Sequence, residues 1–108
     1  VTIGINLELP LLVIDGVANS AGYESAHYAL PSRTTTLTWQ TFFGSAPASC
    51  TFKLWGSLDV VNFAVIDTST AVAGELKTVN INLGFIYVEL DAVSGGTTFS
   101  VLIVPKDI

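Results

Sequence analysis

One cysteine, one histidine and no methionine leave this sequence little with which to do side-chain chemistry. A lone Cys50 excludes an intrachain disulfide and a cysteine-based metal site. Set in an apolar alternating stretch, it reads as a buried thiol, with an interchain bridge as the alternative and a reducing compartment as the place of folding. With His27 alone, a Ser-His-Asp or Cys-His arrangement can be assembled only by choosing partners at will, so no catalytic residue is nominated and the chain reads as a non-enzyme. Asp15, Asp59, Asp67, Asp91 and Asp107 are spread among turns and strand ends, where they are expected to stay hydrated. They lack the spacing of a calcium loop, and no two acids are marked out to flank a glycosidic bond. Gly95-Gly96 precedes no helix pattern, which excludes a dinucleotide fingerprint; neither metal nor cofactor is expected.

Basic residues are scarce as well. Arg33, Lys53, Lys77 and Lys106 never cluster and stand against nine acids, for a formal charge of −5, which excludes nucleic-acid binding by phosphate neutralisation. No apolar run approaches the roughly 20 residues of a membrane helix. The opening VTIGINLELP lacks the basic start of a signal peptide, so no membrane contact is expected. A start at Val1 in a chain without methionine suits removal of an initiator methionine, and equally a fragment of a longer chain.

Half of the residues are hydrophobic and 12% are charged, about half the usual charged share. A surface finished in Ser, Thr, Asn, Gly and apolar groups favours an assembled protein, a homo-oligomer with a trimer as the first expectation. At 108 residues the chain has the size of a single domain, 1–108, with residues 1–10 a candidate N-terminal arm that reaches a neighbouring subunit. Surface scaling gives roughly 5,800 Å² exposed on folding, which leaves enough burial for one core without metals or disulfides.

No segment of helix length repeats its apolar residues every 3.6 positions; the period is two. TTLTWQTFF sets Leu37, Trp39 and Thr41 against Thr36, Thr38, Gln40 and Phe42, and SCTFKLWG sets Cys50, Phe52 and Leu54 against Thr51, Lys53 and Trp55. FIYVELD sets Ile86, Val88 and Leu90 against Phe85, Tyr87 and Glu89. NFAVID is apolar on both sides and reads as a strand covered on both faces. LKTVNINL and TFSVLIV alternate too, the second closed by Pro105, which lacks a backbone donor. A strand over Leu11–Ile14, ended by an Asp15-Gly16 turn, and a short piece near 26–30 bring the total to six to eight. FGSAPAS reads as a hairpin loop, and Gly95-Gly96 as a tight hairpin turn, because glycine takes positive φ at no steric cost. The pattern predicts an all-β protein: a two-sheet antiparallel β-sandwich, jelly-roll-like or immunoglobulin-like, with a small closed barrel as the alternative.

In GSLDVVNF, Gly56 can supply the φ needed to turn after Trp55, and Asp59, assisted by Ser57, can accept backbone N–H bonds and shape an Asx-like turn. Gly56, Ser57, Asp59, Gly95 and Gly96 are the expected structural turn residues. Trp55, Phe85 and Tyr87 fall on the alternation opposite the core, where aromatic rings offer large contact area at little entropy cost. With Asn62 of the corner they are candidate contacts, to a neighbouring subunit first and to a glycan in the alternative reading.

The order LTWQTFFGSAPASCTFKLWGSLDVVNFAVIDTSTAVAGE, then FIYVELDAVSGGTTFSVLIV, resembles small β-sandwich domains in structural proteins of tailed bacteriophages. In those domains a strand, a GS-x-DG-x-x-W/F corner, a second strand and a later SGG-T hairpin recur. The likeness runs from about Leu30 to Val104 and is carried by Gly56-Ser57, Asp59, Phe63, Tyr87 and Ser94-Gly95-Gly96. It implies a virion component assembled in the host cytoplasm: a capsid decoration or cement protein bound to the major capsid protein, or else a baseplate, tail or fibre subunit. It gives Asp59 a turn-shaping role and Phe63 a packing role, and no residue a catalytic one. Related sandwiches serve as carbohydrate-binding or adhesion modules, which is the source of the host-glycan alternative. Val60 stands where the pattern has glycine, and this leaves the type of turn open.

Overall fold

The two-residue alternation closes two sheets over one interior. The computed structural model describes residues 11–30 and 34–107; the candidate arm at 1–10 and Arg33 lie outside the described residues. The strands are β1 (Leu11–Ala18), β2 (Tyr23–Glu24), β3 (Tyr28–Ala29), β4 (Thr34–Phe43), β5 (Ser49–Ser57), β6 (Ala64–Ser69), β7 (Glu75–Asn80), β8 (Phe85–Ser94) and β9 (Thr98–Asp107). One sheet has the order β1-β9-β4-β7 and the other β2-β8-β5-β6, with β3 also paired to β8. Every pairing is antiparallel.

The corner at 58–63 organises this topology. Outward from it, β5 pairs with β6, β4 with β7, β2 and β3 with β8, and β1 with β9. The chain is thus one long hairpin whose successive rungs fall alternately in the two sheets, rolled until β9 meets β4 and β8 meets β5. That is the double Greek key of a jelly roll, and it selects the jelly-roll form of sandwich over the immunoglobulin form. The sheets stay open at β6 and β7, so the barrel alternative falls.

Leu37 and Trp39 from β4, Phe52 and Leu54 from β5, Ile86, Val88 and Leu90 from β8, and Phe99, Val101 and Ile103 from β9 are buried together, as the alternation predicts. Burial of each such side chain is worth about 1.5–3 kcal/mol. Cys50 is a buried free thiol, and burial, with the Glu75 charge adding to it, pushes its pKa up. The accessible surface of 5877 Å² matches the area that size alone implies. Ser25, buried between β2 and β3, accepts the Val88 N–H (3.0 Å) and so satisfies a β8 donor where neither short strand reaches it.

The open side is closed by polar contacts. Lys77 of β7 reaches across to β6, pairing with Asp67 (3.1 Å) and donating to the Thr68 carbonyl (2.6 Å), while Trp39 Nε1 donates to the other Asp67 oxygen (2.9 Å). Asp67 was expected to be hydrated; instead its side chain is only 14% exposed. Burial opposes its ionisation, but the bonds from Trp39, Lys77 and Thr68, together with the Lys77 charge, outweigh that and lower its pKa.

Several connections differ from the expected ones. FGSAPAS and Gly95-Gly96 join strands in different sheets, so neither is a hairpin: alternation reports which residues face inward, not whether the next strand pairs or crosses. Asp15-Gly16 does not end β1; Gly16, at φ 59°, lies within its bulged stretch, between register shifts. β9 runs on through Pro105, which pairs with Leu37 where the described partnership of β9 with β1 has already ended, the edge setting that tolerates proline. β6 is an edge strand with Val65 exposed, not a strand covered on both faces.

Candidate functional site

Most of the candidate residues converge at the tip of the rolled hairpin. Gly56 belongs to β5, and its place there comes from close packing rather than φ: a Cβ would meet the Leu83 side chain at 2.5 Å and Ile66 at 3.2 Å. Beyond it, Ser57 Oγ accepts the N–H groups of Asp59 and Val60 (3.0 Å each) and donates to Asp59 Oδ1 (2.9 Å). Asp59 accepts the N–H groups of Val61 (3.0 Å) and Asn62 (2.8 Å), and its second oxygen accepts Asn62 Nδ2 (2.8 Å). The backbone N–H groups of Asn62 and Val61, then the Asn62 and Ser57 side chains, hold the Asp59 carboxyl well below the usual carboxylate range. Asp59 thus gathers the N–H groups of the turn, and Asn62, a candidate contact, spends its amide on that carboxylate.

The turn also settles the question raised by Val60. The residue takes the left-handed conformation that glycine would occupy, at φ 63°. For a β-branched side chain that conformation costs about 1–2 kcal/mol. Val60→Gly is therefore expected to stabilise the protein by about 1 kcal/mol, a rise in melting temperature of roughly 4–8 °C in calorimetry; a fall would show that Val60 contributes packing that outweighs its strain. Held by this bonded turn, Leu58 and Val61 are each 76% exposed.

Phe63 links the corner to the outer face of the β8–β5 sheet. Its ring meets His27 (centroids 4.8 Å) and packs edge-to-face with Tyr87 (5.0 Å), and His27 stacks on Tyr87 at 4.7 Å. Tyr87 in turn lies parallel to its cross-strand neighbour Trp55, at 5.7 Å and an interplanar angle of 3°. Trp55 Nε1 donates to Glu89 (3.0 Å), and Lys53 pairs with Asp91 (3.2 Å) further along the face. Burial first, then the charges of Glu24 and Glu89, raise the Tyr87 pKa. Phe85 lies at the same end, opposite Ser57 and Ala29 and half-buried. The result is a half-buried aromatic ledge that ends in an apolar corner.

Gly95 and Gly96 are at the opposite end. With φ of 81° and 78° they turn the chain between the sheets, where Asn19 Nδ2 donates to the Gly95 carbonyl (2.8 Å). Sequence reasoning missed two parts of the site. His27 joins through the register of β3 on β8, and the exposure of Leu58, Val60 and Val61 was visible only as apolar residues in a corner without alternation. Among the described residues, no group of three or more His, Cys, Asp or Glu side chains could hold a metal ion.

Asp59 and Asp67 make stability pH-dependent. Both have folded-state pKa values below the unfolded value of about 3.9, so their contribution is present above that value and lost as pH falls through the folded values. Thermal melts are expected to be level above about pH 5 and to decline below about pH 4, with Asp59→Asn flattening the decline. An unchanged melting temperature at pH 3 would contradict this.

No family model matches the sequence, and no curated protein matches it. Among solved structures, the chain is similar to the SPBc2 prophage-derived protein YomS, with 13% sequence identity and a TM-score of 0.69. The match covers 92% of this chain and 93% of that one, so the whole sandwich is shared. At that identity the likeness concerns the fold.

Proposed function

We propose that this protein is a non-enzymatic structural component of a bacteriophage virion, a capsid decoration or cement protein that stabilises the shell through protein–protein contacts. The observation that carries the reading is the corner, where Ser57 and Asp59 fix a turn that displays Leu58, Val60 and Val61 to solvent and holds Val60 in a strained conformation. Exposed apolar residues on a rigid turn lose little entropy on docking and are an interaction surface by composition. The aromatic ledge extends that surface through Phe63. The phage-like corner sequence and the fold shared with a prophage-derived protein support a place in the virion.

The test uses particles assembled without the protein. Added back, the wild-type chain is expected to bind them saturably and raise their resistance to heat; the Leu58→Ser/Val61→Ser double variant should bind at least tenfold more weakly while melting as wild type does. Equal binding by both would remove the corner from the contact. Binding to tails or baseplates instead of shells would move the role within the virion.

One observation favours a second reading. The parallel Trp55 and Tyr87 rings, with Glu89 beside them, have the make-up of a sugar-stacking shelf. Glycan-array binding lost in Trp55→Ala with the fold retained would establish that reading, although His27 and Trp55 already lie against the Tyr87 ring.

A further inference from the structure

The outer face of the other sheet differs from the aromatic ledge in carrying no charge across its middle. The outward positions of β4, β7 and β9 hold Gln40, the Thr38–Thr78 hydroxyl pair (2.9 Å), Leu102 and Val104, with a 66% exposed Leu76 beside Gln40 on the edge strand and Phe42 toward one end. The nearest charges are of opposite sign and sit at opposite ends of the strands. Lys106 is exposed beside Thr36, and Asp15 is exposed on β1 in the bulged stretch opposite Ser100.

We infer that this face is a self-association surface, and that its occupant is a second copy of the chain related by a twofold axis lying in the interface and perpendicular to the strands. Such an axis sets a face against itself, so any charge at its centre would meet its like; here the centre has none. It also reverses strand direction while keeping β9 over β9, which brings Lys106 of each copy over the Asp15 end of the other. Two copies of a chain with a formal charge of −5 repel, and this contact gains two opposite-charge pairs at the rim. The other outer face offers no such arrangement, because Glu24 and Glu89 are direct cross-strand neighbours there. Taking strand spacing of about 4.8 Å and a rise of about 3.4 Å per residue, the four-stranded face measures roughly 500 Å², so pairing removes about 1,000 Å² in all, the size at which specific interfaces begin.

The inference rests on the reading of the chain as an assembly component and names one of its partners. Sedimentation equilibrium of the full chain is expected to show a mass twice 11.4 kDa at high concentration. Lys106→Glu and Asp15→Lys should each weaken dimerisation about tenfold, and an equimolar mixture of the two should restore it, because both rim pairs are then of opposite sign. Gln40→Glu, at an exposed central position, should also weaken it, whereas Leu58→Ser should not. A trimeric mass, a monomer at every concentration, or a mixture no stronger than its components would overturn the twofold pairing. None of those outcomes touches particle binding by the corner, which the add-back experiment reads separately.

Discussion

Trp39→Ala is expected to cost about 3–5 kcal/mol, a large share of the 5–15 kcal/mol that holds a domain of this size together. Trp39 is the largest fully buried side chain and lies in the middle of β4, the strand that pairs with both β7 and β9. Its ring fills the interior, and its Nε1 ties that interior to Asp67 on the opposite sheet. Truncation leaves a cavity the sheets cannot close without breaking their ladders, and it also deprives Asp67 of a donor. In urea the midpoint should drop sharply with little change in slope. Trp39→Phe keeps most of the volume and loses the N–H, so it should cost less than half as much; equal losses would show that the hydrogen bond, not the packing, is the larger contribution.

Asp67→Ala is expected to follow at about 3 kcal/mol, even though its carboxylate belongs to an edge strand. Removing it strands the Trp39 N–H in the interior and leaves Lys77 with only the Thr68 carbonyl, and an unsatisfied buried group costs more than the bond it lost was worth. Asp67→Asn retains an acceptor for Trp39 and should lose less. A double-mutant cycle with Lys77→Met should return a coupling of about 1 kcal/mol for the ion pair. Coupling near zero would mean that the Lys77 charge adds nothing at Asp67 and that the carboxylate acts through its bond from Trp39.

The inward-facing residues were legible in the sequence because burial imposes a period of two, and β4, β5, β8 and β9 have strong apolar stripes. Thr41 follows the same pattern, buried with its hydroxyl accepting the Glu75 N–H. Connectivity was less legible. Gly95-Gly96 has the chemistry of a tight turn whether the next strand pairs or crosses to the other sheet, and only the register of strands distant in sequence decides between them. Asp67 looked like another hydrated turn carboxylate because its partners, Trp39 and Lys77, come from different strands. At the site, Ser57 and Asp59 bond to groups two or three residues away, within reach of local spacing. The aromatic ledge needs β3 set against β8 to bring His27 onto Tyr87, and no local pattern carries that. Val60 is a different case: glycine is expected at a left-handed position, and the strained valine is itself the feature that points to function.

The proposed role, adhesion of this jelly roll within a phage particle, is tested most directly by counting the chain in phage particles purified from a culture that produces it. Quantitative mass spectrometry against the major capsid protein is expected to find it in a fixed ratio to the shell subunits, and retained through a density gradient. Its absence from intact particles, with the protein abundant in the same lysate, would contradict the account.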